Sequence, residues 1–294
     1  MPVFPAHKKK VHIIVGPTAV GKTAYAIEKA LSLGTEIISF DSRQCYRELN
    51  IGVARPSAEE LAAVPHHFIA SHSIFEPVSA AGFALWALAR AEELFTVHND
   101  IVMVGGTGLY IKAFAFGLDE MPPSSATLRA SLQSAYDTNV LAWLQAELMR
   151  FDPLYAATGE MQNPHRLLRA LEVFHLTGKS IRSFQTGTVA ARPFDMEWTL
   201  LDMPRGQLYA RIDHRVDAMM AAGLLEEVRG LVSACGFQPG RLPQALQTVG
   251  YAELIDYLAG QLSLDEAVAR IKTNTRHYAK RQLTWFRKAL PPVG

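Results

Sequence analysis

The chain has 294 residues, of which 49% are hydrophobic and 19% charged, and its 29 Lys and Arg against 28 Asp and Glu leave a formal charge of +1. That length supports one large domain or two modest ones with ample core, and the near-neutral balance excludes a global field for polyanions, so any nucleic-acid surface must come from local charge. Two cysteines, Cys45 and Cys235, exclude a disulfide framework and a Cys-x-x-Cys zinc site, and point to a reducing compartment. The opening residues are basic, but the apolar run at 11–15 that follows them is too short for a signal-peptide core or a membrane span. A cytoplasmic protein without membrane association is expected.

In chain order, residues 11–15 form an apolar run stopped by Gly16. Ala26, Ile27, Ala30 and Leu31 then recur at helical spacing until Gly34. A second run at 36–40 ends at Asp41, and a third at 101–104 ends in Gly105-Gly106 after a helical stretch over 80–95. Short apolar strands alternating with helices predict an α/β fold, a parallel sheet covered by helices on both faces. From about residue 118 the pattern is helical with no convincing strand. Asn163-Pro164 is a helix start, Leu167, Leu168, Leu171 and Phe174 are its apolar stripe, and Gly178 ends it. A strand at 198–203 and helices including 207–222 and 263–288 complete the chain. The expected organisation is a core of 1–118 and 197–294 interrupted by an all-helical insertion at 119–196.

Gly16-Pro17-Thr18-Ala19-Val20-Gly21-Lys22-Thr23 has the spacing G-x-x-x-x-G-K-[ST] of a P-loop, and it lies between a predicted strand and a predicted helix. Its glycines let the backbone turn tightly and aim successive N–H groups at phosphate oxygens, and the following helix adds its positive end. Lys22 reaches the terminal phosphate in such a loop, and the Thr23 hydroxyl ligates Mg²⁺. Asp41 ends the next strand on the edge of the sheet where ligands sit, so it faces whatever the P-loop holds. There it can hold metal-bound water, bind a substrate hydroxyl or take a proton, unless it merely caps a turn. Gly105-Gly106-Thr107-Gly108 follows the third strand on the same edge, either as a ligand loop carrying the Thr107 hydroxyl or as a plain turn.

Arg211 and Arg215 lie four apart on one helical face, able to reach a diphosphate or to pair with Asp213 and Asp217. Between Arg270 and Lys288 stand seven basic residues and no acidic one, with Lys272, Arg276 and Lys280 on one face and Tyr278, Trp285 and Phe286 among them. This suits a phosphate backbone or, equally, a solvated amphipathic helix. His66 and His67 lack a third ligand at recognisable spacing and read as structural.

Together these segments resemble the tRNA dimethylallyltransferase (tRNA isopentenyltransferase) family of bacterial type. The matching stretches are GPTAVGKT (16–23), DSRQCYRELNIG (41–52), PHHF (65–68), GGTGLY (105–110), NPHRLLRALEVFHLTGK (163–179), ARIDHRVDAM (210–219), VGY (249–251) and TRHYAKRQLTWFR (275–287). The resemblance implies transfer of the dimethylallyl group from dimethylallyl diphosphate to N6 of the adenosine 3′ of the anticodon, in tRNAs reading codons that begin with U. It also implies that the P-loop binds diphosphate rather than a nucleoside triphosphate. By the same resemblance, Lys22, Thr23 with Mg²⁺ and an arginine of the 211/215 pair, Arg215 above all, stabilise the leaving diphosphate, and Asp41 takes the N6 proton. Ser42, Arg43 and Gln44 lie near the adenine. Thr107, Arg129, the segment His165, Arg166, Leu167, Leu168 and Arg169, the segment around Gln247, Gly250 and Tyr251, and Lys280 and Arg281 are implied tRNA contacts. The helical insertion would then clamp the anticodon stem-loop. The sequence departs from the family pattern at Val53, Ala70 and Ala252, where Thr, Asp and a basic residue are usual, and at Cys45 and Glu48. The other activities the motifs allow are an adenylate isopentenyltransferase, a small-molecule P-loop kinase and a P-loop module that binds RNA without catalysis. A monomer is expected.

Overall fold

The apolar runs pair side by side. In the computed structural model, which describes residues 8–289 apart from 77, 238, 240 and 241, strands β1 (Lys10–Val15), β2 (Ile37–Ser39), β3 (His66–His67), β4 (Asp100–Val104) and β5 (Asp195–Leu200) form one parallel sheet. Their order is β3-β2-β4-β1-β5. Most of the basic opening stretch lies outside the described residues. The helices are α1 (Lys22–Leu33), α2 (Ala58–Ala63), α3 (Ala80–Leu94), α4 (Gly108–Phe116), α5 (Ala126–Phe151), α6 (Pro153–Thr158), α7 (Pro164–Thr177), α8 (Arg205–Ala221), α9 (Leu224–Cys235), α10 (Tyr251–Leu258) and α11 (Leu264–Ala289). No helix among the described residues is long and apolar enough to cross a membrane.

Alternation along the central strands explains why both faces are covered. On one face Ile14, Ile37, Val102 and Val104 meet Ala26 and Ala30 of α1. On the other, Val11, Ile13, Val15, Ile38, Ile101 and Met103 join a larger core with Phe83 and Ala87 of α3, Phe114 of α4 and Phe286 of α11. Two apolar faces on one strand leave no polar alternation, which is why the runs at 11–15 and 101–104 read so clearly. Edge strands are less legible. β5 begins at Asp195, upstream of the expected start at 198, because the exposed Asp195 and Glu197 alternate with inward residues and look like loop. The two-residue β3 carries no periodicity at all. His66 and His67 are indeed held by the fold: His66 Nδ1 lies 2.8 Å from the Val64 carbonyl oxygen, and His67 Nε2 lies 2.5 Å from Glu36 Oε2.

The chain forms two compact units, 1–116 with 191–294, and 117–190. The helical unit therefore starts and ends a few residues before the expected 119 and 196, its end falling where the chain turns into β5. Its core is Leu132, Leu144, Leu148, Tyr155, Leu167, Leu168, Leu171 and Ile181. Asn163 caps α7 through Arg166 N–H, Pro164 occupies its first turn, and Gly178 ends it in the left-handed region. Helix α5 breaks at Val140, whose φ is 59°.

Glu172 is the polar centre of this unit. Fully buried, it accepts hydrogen bonds from the Ser124 hydroxyl and from Ser125 N–H (2.8 Å), and it pairs with Arg169 (2.8 Å) and Arg129 (3.5 Å). Burial alone would raise its pKa, but the bonds from Ser124, Arg169 and Ser125 hold it below the ordinary carboxylate value. Arg169 also donates to the Pro122 carbonyl, so Glu172 and Arg169 together fasten the 122–125 loop and the start of α5 to α7. Glu172→Ala is expected to destabilise the helical unit by about 3 kcal/mol at neutral pH, because two guanidinium groups lose a desolvated partner. Hydrogen exchange at the N-terminal turns of α5 and α7 measures this. Since the folded pKa is depressed, the Glu172 contribution is present above the unfolded carboxylate pKa and is lost as pH falls through the folded one, so wild type and variant converge in acid.

Candidate active site

The phosphate loop connects β1 to α1. A Cβ on Gly16 would lie 2.5 Å from the Leu201 carbonyl oxygen, and Gly21, with φ of 104°, turns the chain into α1 through a conformation that side chains resist. Helix α1 starts with no side-chain cap and no acidic residue in its first turn. Its amide groups and positive end are therefore left for an anion. Lys22 Nζ donates to the Pro17 carbonyl at 2.7 Å, folding back over the loop. Burial pulls the Lys22 pKa down to about 8; Asp41 opposes the shift and Arg215 adds to it.

Arg215 of α8 reaches the loop from the opposite side, with Nη1 3.5 Å from Thr18 Oγ1. Burial lowers its pKa while Asp41 counteracts. The neighbouring acids of α8 serve elsewhere. Asp213 takes a two-pronged contact from Arg276, with Nε at 3.0 Å from Oδ1, and Asp217 pairs with Lys272 at 2.6 Å. The helical face 272–276–280 is thus largely neutralised by α8, and the ion pairs dock α11 rather than present those two charges to a polyanion. Arg287 extends the docking through Asp202, at 2.5 Å. Arg211 is exposed, with Nη2 3.8 Å from where a Cβ on Gly21 would lie.

Asp41 stands after β2, facing the loop. Its Oδ1 accepts from Arg43 N–H (2.9 Å) and Gln44 N–H (3.3 Å), which shapes the turn over 41–44. No described residue hydrogen-bonds its Oδ2. The turn therefore uses one oxygen of the carboxylate and leaves the other without a hydrogen bond from the described residues. Thr107 Oγ1 accepts from Ser42 N–H at 3.0 Å and lies 3.2 Å from Ser42 Oγ, joining the β4–α4 turn to the Asp41 turn. The glycines around it admit the protein's own side chains. A Cβ on Gly106 would lie 2.2 Å from Gln282 Nε2, and one on Gly108 would lie 2.4 Å from the Trp285 ring.

Gln44 spends its Nε2 on the Ala54 (2.8 Å) and Val53 (3.2 Å) carbonyls, so its Oε1 is the atom left to face a ligand. The 50–54 loop is itself held by Glu227, which accepts from the N–H groups of Asn50 (3.3 Å), Ile51 (2.8 Å) and Gly52 (3.4 Å) and from the Tyr251 hydroxyl. Ala70, where the resembled family usually has Asp, adopts φ of 48°, a conformation Asp tolerates better than Ala. Glu48 binds the Ser73 hydroxyl (2.8 Å) and Ile74 N–H (3.0 Å). Burial, with Asp41 adding to it, pushes the Cys45 thiol up to about 12, so it stays protonated and inert.

Two adjoining cavities meet at these residues. The smaller, about 220 Å³, is lined by Ala19, Gly21, Lys22, Thr23 and Asp41. The larger, about 530 Å³, has apolar walls from Ile212, Val216, Met219, Leu224, Ile271 and Phe286. Thr18, Asp41, Arg215, Tyr278 and Gln282 border both. Ser42, Arg43, Thr107, Gln247, Gly250 and Arg281 also line the larger one. Desolvation around its hydroxyl, reinforced by Asp41, raises the Tyr278 phenol and keeps it neutral, although the residue as a whole is partly exposed.

Several implied RNA contacts are corrected by burial. Leu167 and Leu168 are buried in the core of the helical unit, so their side chains organise that unit instead of contacting RNA, while the partly exposed Arg169 is engaged with Glu172 and Pro122. Tyr251 is fully buried against Glu227, and it too lies out of reach of a macromolecule. His165, Arg166, Gln247, Lys280 and Arg281 are exposed, and Arg129 is half exposed beside Glu172. Gln282 escapes sequence reading altogether, because a glutamine between basic residues on an amphipathic helix looks like surface.

Residues 44–289 match the family described as IPP transferase. A tRNA dimethylallyltransferase of Cytophaga hutchinsonii is 42% identical over 280 residues, 95% of this chain and 90% of that protein. The chain belongs to the IPP transferase family. Another IPP transferase relative, the tRNA dimethylallyltransferase of Christiangramia forsetii, is 45% identical over 94% of this chain and 89% of its own length. Among solved structures, a full-length tRNA isopentenylpyrophosphate transferase from Bacillus halodurans superposes with a TM-score of 0.67 at 38% identity, covering 95% of this chain and 87% of the other. A eukaryotic dimethylallyltransferase described as acting on tRNA gives a TM-score of 0.77 at 27% identity, over 95% of this chain and 70% of that one. As an IPP transferase the chain is a prenyl-transferring enzyme, with the P-loop, Asp41 and Arg215 around one site.

Proposed function

We infer that this IPP transferase moves the dimethylallyl group of dimethylallyl diphosphate to N6 of the adenosine 3′ of the anticodon in tRNAs reading codons that begin with U. The observation that carries this activity is the position of Asp41, which borders both the small cavity over the phosphate-binding loop and the larger cavity with apolar walls. A purine amine conjugated into its ring is a weak nucleophile, so transfer needs both a base and a stabilised leaving group. A bond forms between N6 and C1 of the allylic group, the C1–O bond to diphosphate breaks, and Asp41 Oδ2 accepts the N6 proton. The departing diphosphate takes its negative charge onto the P-loop amides, Lys22 and Arg215. The apolar wall holds the prenyl chain and excludes water that would otherwise intercept the allylic carbon. Access requires the base to leave its stack, which costs a few kcal/mol and least in a loop.

The donor chemistry suits Mg²⁺: the Thr23 hydroxyl and the diphosphate oxygens are hard ligands, and the Thr23 side chain opens into the smaller cavity. Bound there, Mg²⁺ supplies charge neutralisation for the diphosphate. Arg129, His165, Arg166, Gln247, Lys280 and Arg281 are the exposed residues offered to RNA.

Incubation of radiolabelled dimethylallyl diphosphate with unmodified tRNA, Mg²⁺ and no ATP tests this activity. Label in tRNA is expected. Label on AMP but not on tRNA would move the enzyme to nucleotide prenylation, and label on neither, with ATP consumed on a small acceptor, would make it a kinase.

A further inference from the structure

Gln282 lies on the third turn from the end of α11 and is 6% exposed. Its Oε1 accepts from Thr18 N–H of the phosphate loop at 2.8 Å, and its Nε2 donates to the Gly106 carbonyl at 3.0 Å. One buried amide therefore bridges the β1–α1 loop, the β4–α4 turn and α11. The space for it is made by Gly106, where a side chain would drive a Cβ to 2.2 Å from Nε2. The peptide it grips is also held from the other side, since the Thr18 hydroxyl faces Arg215 at 3.5 Å. Helix α11 cannot readily drift, being fixed to α8 by Arg276–Asp213 and Lys272–Asp217. The residue before Gln282, Arg281, lines the larger cavity.

We propose that Gln282 is a positioning residue that sets the phosphate loop for diphosphate from the same helix that offers Arg281 to the acceptor. A P-loop works only when its amides converge on one point, so the groups that hold its backbone define that point. Gln282 supplies one such constraint by consuming the Thr18 N–H, so that Thr18 anchors the loop and the later amides turn toward the anion. Because the other end of the same amide is fixed to Gly106, beside Thr107, movement of the Thr107 turn is transmitted to the phosphate loop. This proposal rests on the P-loop binding diphosphate.

The test uses inorganic diphosphate with Mg²⁺ and the whole protein, followed by titration calorimetry without RNA. Gln282→Met keeps the volume but makes neither hydrogen bond, and diphosphate binding is expected to weaken about tenfold. Gly106→Ala displaces the amide from the other side and is expected to weaken binding similarly. The double substitution is expected to be no worse than the poorer single one, since both break the same bridge. Gln282→Glu keeps an acceptor for Thr18 N–H, loses the donor to Gly106 and brings a negative charge to the anion site, so it is expected to bind weakest of the single variants. Thermal unfolding of each variant separates loss of fold from loss of positioning, and a folded variant is read by its diphosphate affinity. Unchanged affinity in folded Gln282→Met, or additive losses in the double variant, would overturn the proposal. Wild-type protein that binds no diphosphate would overturn it together with the P-loop function beneath it, whereas a wild type that binds diphosphate but does not prenylate tRNA bears on the acceptor alone.

Discussion

Asp41→Asn is expected to lower kcat for prenyl transfer by about a thousandfold while leaving tRNA affinity within about twofold. The substitution is chosen because it divides the two duties of the carboxylate. Asparagine keeps an oxygen for Arg43 N–H and Gln44 N–H, so the turn that places Ser42, Arg43 and Gln44 survives. What disappears is the proton acceptor at Oδ2. Without it, N6 must attack while retaining its proton, and positive charge accumulates on the amine in a site already crowded by Lys22 and Arg215. Asp41→Ala removes the cap as well, so its loss of rate is expected to come with weaker acceptor binding. Single-turnover transfer from labelled donor, combined with direct tRNA binding, checks both. Turnover by Asp41→Asn close to the wild-type rate would remove Asp41 as the base.

Lys22→Met is expected to reduce kcat/KM for the donor by a hundredfold or more, on the order of the loss when a preorganised charge-stabilising group is removed. The wild-type enzyme should also show an alkaline limb that the variant lacks. In the free enzyme Lys22 titrates near about 8, because burial disfavours the ammonium more than Asp41 restores it. Below that pH the ammonium is present and the leaving diphosphate meets a full positive charge. Above it the free enzyme holds a neutral amine, so donor binding must first recruit a proton and affinity falls as pH rises. The sign is that of a base whose pKa is lifted by its ligand: binding takes up a proton above about pH 8 and none well below it. Calorimetry of diphosphate binding in buffers of different ionisation heat reads this uptake directly. Lys22→Met should take up less, and the difference between the two proteins isolates Lys22 from the titration of diphosphate itself.

Both predictions begin from residues that a linear reading reaches, and the reason is local. A phosphate loop is built by consecutive residues whose backbone must adopt one shape, so Gly16 to Thr23 are recognisable at fixed spacing. Asp41 is recognisable because a buried strand in a parallel sheet is a short apolar run, and its end marks the ligand-bearing edge. The same locality makes α7 legible, with Asn163, Pro164 and Gly178 marking its ends. Where burial is one-sided or the element is two residues long, as at β5 and β3, the signal fails.

The ordered motifs along the chain determined the family, the sheet with helices on both faces, and the phosphate loop. Tertiary structure alone decided which polar residues look outward. Arg169 and Lys272 are as basic as Arg166 and Lys280, yet the first two are held in close ion pairs by Glu172 and Asp217, acids whose proximity depends on how helices pack. Gln282 is the extreme case: 264 residues separate it from Thr18. No periodicity records that contact, because a hydrogen bond between distant segments constrains position in space and leaves the spacing of neighbours along the chain untouched.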